Sequence, residues 1–466
     1  MSVQATANDV CKWTKGELVR GQPDQSFAST TIDSRETSTE SLFVAIVGPN
    51  HDAHRFVGQV LEAGAAGVLI SADPKEITSD PGGGFIVRVE DTTLALADLA
   101  HGHRQAFDGP LIGITGSNGK TTTKDLCAGI LDGLGQTLAT RGNLNNNFGV
   151  PLTVLRRSDS TAYAVVEMGM NHRGEIATLA AIAQPTIGVL TNVGSAHIEF
   201  LGSREAIAEE KGDLLAALPA QGTAVVGRDD PIAFAQAART HASVLSFGCH
   251  SAADLCASAI RARDDGTFTF ILESPFGRGE IRVPGLAETI VGNALAAAGG
   301  AFAAGASFEI VATGLANHSG VPGRMQPRAI ANDVLLIDDS YNANPQSMQS
   351  ALETLARLDT SGKRRAVLGE MGELGEQADK AHRDAGRLAG SLELDSLYLI
   401  GPSAAIVAEG AIESGMAASR IHLENDHESI VRMLRKDITK GDRILIKGSR
   451  AAQMERIAQA LKEGSH

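Results

Sequence analysis

The chain has 466 residues, 43% of them hydrophobic and 21% charged, with a formal net charge of −14 and a pI of about 5.4. That length exceeds what one hydrophobic core sustains, so two or three domains are expected, and the acidic balance excludes a non-specific nucleic-acid or acidic-membrane binder. Cys11, Cys127, Cys249 and Cys256 form no C-x-x-C, the start MSVQATANDVCKW lacks the basic-then-apolar layout of a signal peptide, and no apolar run is long enough to span a membrane; a reducing, cytoplasmic setting is expected.

Residues 1–108 read as one small α/β unit. Residues 41–46 (SLFVAI) form an apolar strand, 56–66 a helix and 67–70 (GVLI) the next strand, with loops at 48–54 and 79–84. Ser34 and Arg35 close the polar stretch before the first of these strands. They could hold a phosphate, and a capped turn with a solvated arginine explains them equally.

Residues 109–325 are expected to form a nucleotide domain. The apolar run Leu111-Ile112-Gly113-Ile114 gives way to Thr115-Gly116-Ser117-Asn118-Gly119-Lys120-Thr121-Thr122, and a helical pattern follows with Leu126, Ile130 and Leu134 on one face. Strand, glycine-bearing loop, lysine, hydroxyl and helix make a phosphate cradle in that order. The glycines let backbone N–H groups approach oxygens, and the helix N-terminus adds partial positive charge. Lys120 can reach the outer phosphates, and Thr121 can offer its hydroxyl to Mg²⁺. The strict pattern G-x-x-x-x-G-K-[ST] wants glycine at 114, where this chain has Ile114; the shorter G-x-x-G-K-T form stands here.

Further strands are expected at 163–167 and 186–193. Strands alternating with helices argue for a largely parallel sheet, whose ligands bind beyond the carboxyl ends of the strands. The cradle, Glu167 and His197 each follow such an end. Three strands therefore deliver a lysine–threonine pair, a carboxylate and an imidazole to one edge. The carboxylate suits Mg²⁺, a hard cation that prefers oxygen. His197 reads either as a loop hydrogen-bonder or as a metal or phosphate ligand.

A helix is expected over 203–218 with Ser203 as its N-cap. Lys211 falls inside its apolar stripe of Ile207, Leu214, Leu215 and Leu218. It must snorkel, find an anion or shed its charge. A neutral amine there would be open to CO₂, giving a carbamate able to bridge metal ions. Asn293 starts a small-residue helix and either reads a base edge or caps the helix. Arg324, at the domain boundary, either reaches a phosphate or is an ordinary linker residue.

Residues 326–466 are again α/β, with strands at 334–338, 365–368, 396–400 and 443–446 and a helix over 346–358. The loop Asp339-Ser340-Tyr341-Asn342-Ala343-Asn344-Pro345 suggests a second ligand-facing edge, although turn chemistry also favours such residues.

Taken together these residues resemble the Mur ligases, the ATP-dependent amino-acid and peptide ligases of peptidoglycan synthesis. The resemblance rests on the 115–121 loop, Glu167-Met168-Gly169, Asn192-Val193-Gly194-Ser195-Ala196-His197, Asn293 and Gly323-Arg324. Gly142-Asn143-Leu144-Asn145-Asn146, Phe148-Gly149-Val150-Pro151-Leu152-Thr153, the Tyr341-Asn342-Ala343-Asn344-Pro345 loop and Leu368-Gly369-Glu370-Met371 resemble the branch that adds D-alanyl-D-alanine.

The resemblance implies three α/β domains: a small UDP-substrate-binding domain at 1–108, a central ATP-binding P-loop domain with a parallel sheet at 109–325, and a C-terminal Rossmann-like domain at 326–466. It implies that Ser34 and Arg35 touch the uridine nucleotide, and that Asn145 and Asn146 face the peptide substrate. Thr115, Gly116, Ser117, Asn118, Gly119, Lys120, Thr121 and Thr122 would handle the phosphates. Asn293, Arg324, Asp339 and Asn342 would help grip ATP. Thr121, Glu167 and His197 would hold Mg²⁺, and Lys211 matches a lysine that is carbamylated in some members.

The implied reaction joins D-alanyl-D-alanine to the terminal carboxylate of UDP-N-acetylmuramoyl-tripeptide through an acyl phosphate. A cytoplasmic monomer without nucleic-acid or membrane partners is expected. Three rivals stand beside this reading. One is a sister ligase that adds a single amino acid to a shorter UDP-muramoyl peptide. Another is a folylpolyglutamate-type ligase, which the substantial N-terminal unit disfavours. The third is a P-loop nucleotide-binding switch or scaffold.

Overall fold

The computed structural model describes residues 5–73, 83–249 and 252–463, so the loop expected at 79–84 lies mostly outside the described residues. Three mixed or parallel sheets, one after another along the chain, organise it.

The first sheet has five strands in the order Glu17–Arg20, Phe85–Arg88, Gly67–Ile70, Ser41–Val44, Ser29–Thr31, parallel except for its first pair. Within Ser41–Val44, Leu42 and Val44 belong to the core under helix Thr92–Arg104, while Phe43 belongs to the core under helix Val57–Glu62. Burial on both faces is why the segment reads as an unbroken apolar run. The helix expected over 56–66 is shorter and begins differently. A 3₁₀ turn, Ala53–Phe56, is capped by Asp52, and the α-helix ends at Glu62, just before Gly64 in left-handed backbone. Helix Thr92–Arg104 fastens this unit to the next: Arg104 Nε donates to Ala183 O at 2.8 Å and Nη2 to Gln184 O at 3.0 Å.

The central sheet has nine strands. Seven are parallel, in the order Thr137–Ala139, Tyr163–Glu167, Leu111–Thr115, Ile187–Leu190, Thr223–Gly227, Ser243–Gly248, Leu255–Ala262. Thr267–Ser274 and Gly277–Pro284 extend it antiparallel, an addition the strand–helix alternation did not indicate. Helices Lys120–Leu131 and Thr289–Ala303 share the core on one face; Glu175–Ala183 and Arg204–Ala216 share the core on the other. Two expectations shift here. Helix Lys120–Leu131 stops before Leu134, which is exposed in a turn between Gly133 and Gly135. Helix Thr289–Ala303 begins a full turn before Asn293, with Glu288 at its cap, so Asn293 is not a cap.

The third sheet has six strands in the order Gln326–Ile330, Val334–Asp339, Arg443–Lys447, Arg364–Leu368, Ser396–Ile400, Ile421–Glu424, parallel apart from its first strand. The last strand in sequence, Arg443–Lys447, inserts between the second and third. Helices Pro345–Arg357, Ala378–Ser391 and Ala404–Glu413 therefore pack on one face, and His427–Asp437 and Glu455–Glu463 on the other. This crossover leaves loops at the carboxyl edge, where doubly wound sheets bind ligands. Among the described residues no helix is long and apolar enough to cross a membrane, and all four cysteines are free.

A buried network ties the base of this third unit. The Asp442 side chain is fully buried and accepts from Thr439 N at 3.0 Å, Lys363 N at 2.8 Å and Arg365 Nε at 2.8 Å. Burial pushes the Asp442 carboxyl up, but these donors outweigh it and hold it below the usual carboxylate range. A carboxylate depressed in the folded state stabilises above its unfolded pKa, and that contribution is lost as pH falls through the folded value. Asp442→Ala removes the carboxylate paired with the buried Arg365 guanidinium, which keeps the neutral acceptors Ser396, Tyr398 and Asp437 O, and is expected to destabilise this unit by about 3 kcal/mol at neutral pH. Thermal denaturation should show the deficit shrinking as the native protein is acidified.

Candidate active site

The loop from Gly116 to Lys120 is held by the strand exit beside it. Ser117 N donates to Asn192 O at 3.0 Å, Asn118 N donates to Asn192 Oδ1 at 3.0 Å, and Thr191 Oγ1 donates to Asn118 O at 2.7 Å. Gly119 caps helix Lys120–Leu131 at φ +82°, and a Cβ there would lie 2.1 Å from Asn293 Oδ1. A Cβ on Gly116 would lie 1.9 Å from Thr191 Oγ1. Close approach therefore requires glycine at both positions. Lys120 Nζ donates to Gly116 O at 2.7 Å. Burial pushes the Lys120 ammonium down and Arg324 adds to this, against the pull of Glu167 and Glu373.

Glu167 ends its strand almost wholly buried. Its Oε1 accepts from Asn145 Nδ2 at 2.8 Å, and its Oε2 is buried with no hydrogen-bond partner. Among the described residues no three His, Cys, Asp or Glu side chains cluster as a metal cage. Mg²⁺ does not need one, since it commonly takes one or two carboxylates and completes its shell with phosphates and water. An orphaned carboxylate oxygen beside a phosphate loop fits such an ion.

His197 Nδ1 lies 2.6 Å from Glu373 Oε2 of the third unit, a close polar contact across the gap in which the nitrogen has no properly directed hydrogen bond. Both residues adopt left-handed backbone, at φ +66° and +60°, which is uncommon for residues carrying a Cβ. The imidazole, and more weakly the Lys120 ammonium, hold the Glu373 carboxyl below its ordinary range.

The carboxyl edges of the second and third sheets face one another across a cleft of about 1560 Å³. It brings together Ser117, Asn118, Gly119, Lys120, Thr122, Asn145, Asn146, Glu167, His197, Asn293, Arg324, Asp339 and Asn342. Several of these already have structural partners. Asn146 Oδ1 accepts from Gly149 N at 2.9 Å, at the start of helix Gly149–Leu155. Asp339 Oδ2 pairs with the buried Lys447 Nζ at 2.5 Å, and Lys447 also donates to Asn342 O at 3.1 Å.

Other residues singled out from the sequence lie elsewhere. Thr115, fully buried, ends the strand before the loop, and neither it nor Gly116 lines the cleft. Thr121 opens on a neighbouring cavity of about 750 Å³ and accepts from Arg324 Nη2 at 3.2 Å. Ser34 and Arg35 lie in a 3₁₀ turn of the first unit, where Asp33 accepts from Arg35 N at 2.9 Å and pairs with its guanidinium; neither lines the cleft. Lys211 is fully buried, and its Nζ neither snorkels nor finds a hydrogen-bond partner. Burial, then the nearby Lys120 charge, push its pKa well below the ordinary lysine value.

Reading residues one at a time missed Lys447, Glu373, Asn344 and Gln346, all on the cleft wall. Lys447 carried a signal, a lysine closing the apolar strand Arg443–Lys447. Glu373 carried none, because its importance comes from what faces it.

The chain matches the Mur ligase middle domain over residues 114–301 and the "Mur ligase, glutamate ligase domain" over 323–450. It is 35% identical to the UDP-N-acetylmuramoyl-tripeptide–D-alanyl-D-alanine ligase of Escherichia coli, with 99% of both chains covered. The chain belongs to the Mur ligase family. Among solved Mur ligases, MurF from Acinetobacter baumannii superposes with a TM-score of 0.88 at 32% identity, with 99% of both chains covered. MurF from Thermotoga maritima in complex with ADP superposes with a TM-score of 0.81 at 31% identity, covering 93% of this chain and 97% of that one.

The unpartnered Lys211 generates a stability prediction. A lysine whose folded pKa lies below its unfolded one binds fewer protons folded than unfolded between those two values, so stability rises with pH across that window. Lys211→Met, which fills the space without the amine, is expected to raise the melting temperature near neutral pH in CO₂-depleted, metal-free buffer and to flatten its rise towards pH 9. A lower melting temperature would mean that the amine has a stabilising partner.

Proposed function

We propose that this Mur ligase joins D-alanyl-D-alanine to the terminal carboxylate of UDP-N-acetylmuramoyl-tripeptide, forming ADP and phosphate, in peptidoglycan precursor synthesis. The observation that carries this reading is similarity along the whole length to proteins of that one activity. On this reading the chain divides near residues 108 and 325 into units for the UDP-substrate, the ATP and the incoming dipeptide. ATP and a UDP-linked precursor both belong to the cytoplasm, and one chain carries every group named, so a monomer suffices.

A carboxylate is a poor electrophile because its charge repels an incoming amine. Transfer of the γ-phosphoryl group of ATP to the tripeptide carboxylate gives an acyl phosphate and ADP. The dipeptide amine then attacks the carbonyl carbon, the C–O bond to phosphate breaks, and the amine loses its proton as the amide forms. Such chemistry asks a protein for alignment and charge neutralisation. Lys120, now held by Gly116 O, would turn to the outer phosphates, while the backbone N–H groups of the loop and Thr122 cradle them. Thr121, Glu167 and His197 would hold Mg²⁺, which when bound offsets the negative charge of phosphates and carboxylate.

Asn145 orients Glu167 and, with Asn146, faces the tripeptide. Asn293, Arg324, Asp339 and Asn342 grip the nucleotide from both sides of the cleft, and Ser34 and Arg35 meet the uridine end. Burial and Lys120 push the Lys211 pKa down and so favour the amine form that reacts with CO₂, and a carbamate there would carry negative charge towards the ion site.

The test is phosphate release from ATP across UDP-muramoyl tripeptide and dipeptide substrates, with and without D-alanyl-D-alanine. Turnover confined to the tripeptide plus D-alanyl-D-alanine is expected. Turnover with the shorter substrate and one amino acid would make this a sister ligase, and release independent of any acceptor would indicate a nucleotide switch. Lys120→Ala should lower the rate by on the order of 10²–10³, as loss of one preorganised electrostatic stabiliser does. Gly119→Ala, forced into left-handed backbone against Asn293, should weaken binding of a non-hydrolysable ATP analogue by roughly tenfold or more in calorimetry.

A further inference from the structure

Asn344 lies in the Tyr341-Asn342-Ala343-Asn344-Pro345 loop and has no part in the chemistry above. It is the N-cap of helix Pro345–Arg357. Its Oδ1 accepts from Ser347 N at 2.9 Å, and its backbone N–H donates to Ser347 Oγ at 3.0 Å, a reciprocal capping box. That occupies the acceptor end of the amide. The donor end, Nδ2, reaches out of the third unit and bonds Asn118 Oδ1 of the phosphate loop at 2.8 Å, across 226 residues of sequence. Asn344 is buried at this junction.

The receiving residue is unusually constrained. The N–H of Asn118 is taken by Asn192 Oδ1, and its carbonyl accepts from Thr191 Oγ1 and Asn192 Nδ2. It sits between Gly116 and Gly119, both at positive φ, where the backbone has most freedom to lose its binding shape. One turn of the same helix adds a second tie, since Ser195 Oγ donates to Gln346 Oε1 at 3.0 Å in the segment that follows Asn192. A cap alone does not require asparagine, because serine and aspartate cap equally well. The amide is needed only by a residue that must accept at its own helix and donate elsewhere.

We propose that Asn344 is a positioning residue for phosphoryl transfer: through Asn118 it holds the phosphate loop in its binding shape, so the cradle of the central unit is completed by the C-terminal unit. This rests on the reading of that loop as the ATP site. The rigid helix end supplies the fixed point, and the loop between two glycines is what it fixes.

Asn344→Ser keeps the cap but loses the NH₂ arm. Asn344→Asp keeps cap and shape but turns an acceptor towards an acceptor. Both keep the cap and should stay fully folded at the assay temperature, as melting curves would show. Calorimetry with a non-hydrolysable ATP analogue and Mg²⁺ should show binding weakened roughly three- to tenfold in Asn344→Ser, the span of one neutral hydrogen bond, and more in Asn344→Asp. The KM for ATP should rise while that for D-alanyl-D-alanine holds. In an Asn118→Ala background, adding Asn344→Ser should cost nothing further. Native protein that binds the analogue while both variants bind it equally well would overturn the proposal alone, as would additive losses in the double variant. Native protein that fails to bind the analogue would remove the ATP reading together with this inference.

Discussion

The first backbone N–H groups of any helix have no partner inside it. At the head of helix Lys120–Leu131, Gly119, Lys120 and Thr122 line a cleft, and much of the surrounding structure holds this helix start in place. Gly116 and Gly119 let the loop bend, Asn192 and Thr191 pin it from the next strand, and Asn118 receives a bond from a helix cap of the third unit. An anion placed there meets donors already oriented, so little ordering is left to do at binding.

The cleft is polar on both walls because each wall is the carboxyl edge of a parallel sheet. On one side stand Lys120, Glu167 and His197; on the other Asp339, Glu373 and Lys447. Polar groups meet across the gap, as in His197 with Glu373, and opposite charges pair within a wall, as in Asp339 with Lys447. This arrangement makes the position of the C-terminal unit part of the chemistry. A ligand in the cleft exchanges these contacts for its own, so binding and the docking of the two units are thermodynamically linked.

Much of this was legible in the residues. Mostly apolar runs such as Leu111–Thr115 and Ser396–Ile400 announce strands buried on both faces, and all five residues of each are buried. Ser203 ahead of a helical pattern marked the start of Arg204–Ala216, and it caps Ala206 N at 3.1 Å. Lys211 stood out because a lysine inside an apolar stripe is a local contradiction, and the structure leaves it buried without a partner. What failed was end-finding. Leu134 has the right spacing for the helix face, but glycines on either side end the helix first, and Asn293 looked like a cap only because the Thr289–Asn293 turn contains no strong cap signal. The antiparallel pair closing the central sheet was missed because alternating polar strands at a sheet edge bury only one face and read weakly.

By itself the sequence determined three α/β units, a glycine-bearing loop from a strand into a helix, and a carboxylate and an imidazole at neighbouring strand ends. Each of these is written in residues adjacent along the chain or spaced at a helical or strand period. Only the tertiary structure decided that Glu373 faces His197, that Asp339 is paired with Lys447 rather than free, that Ser34 and Arg35 stand apart from the cleft, and that Asn344 reaches Asn118. Those pairings join residues far apart in sequence. No local pattern encodes them, because the packing of whole sheets sets the distance between their edges.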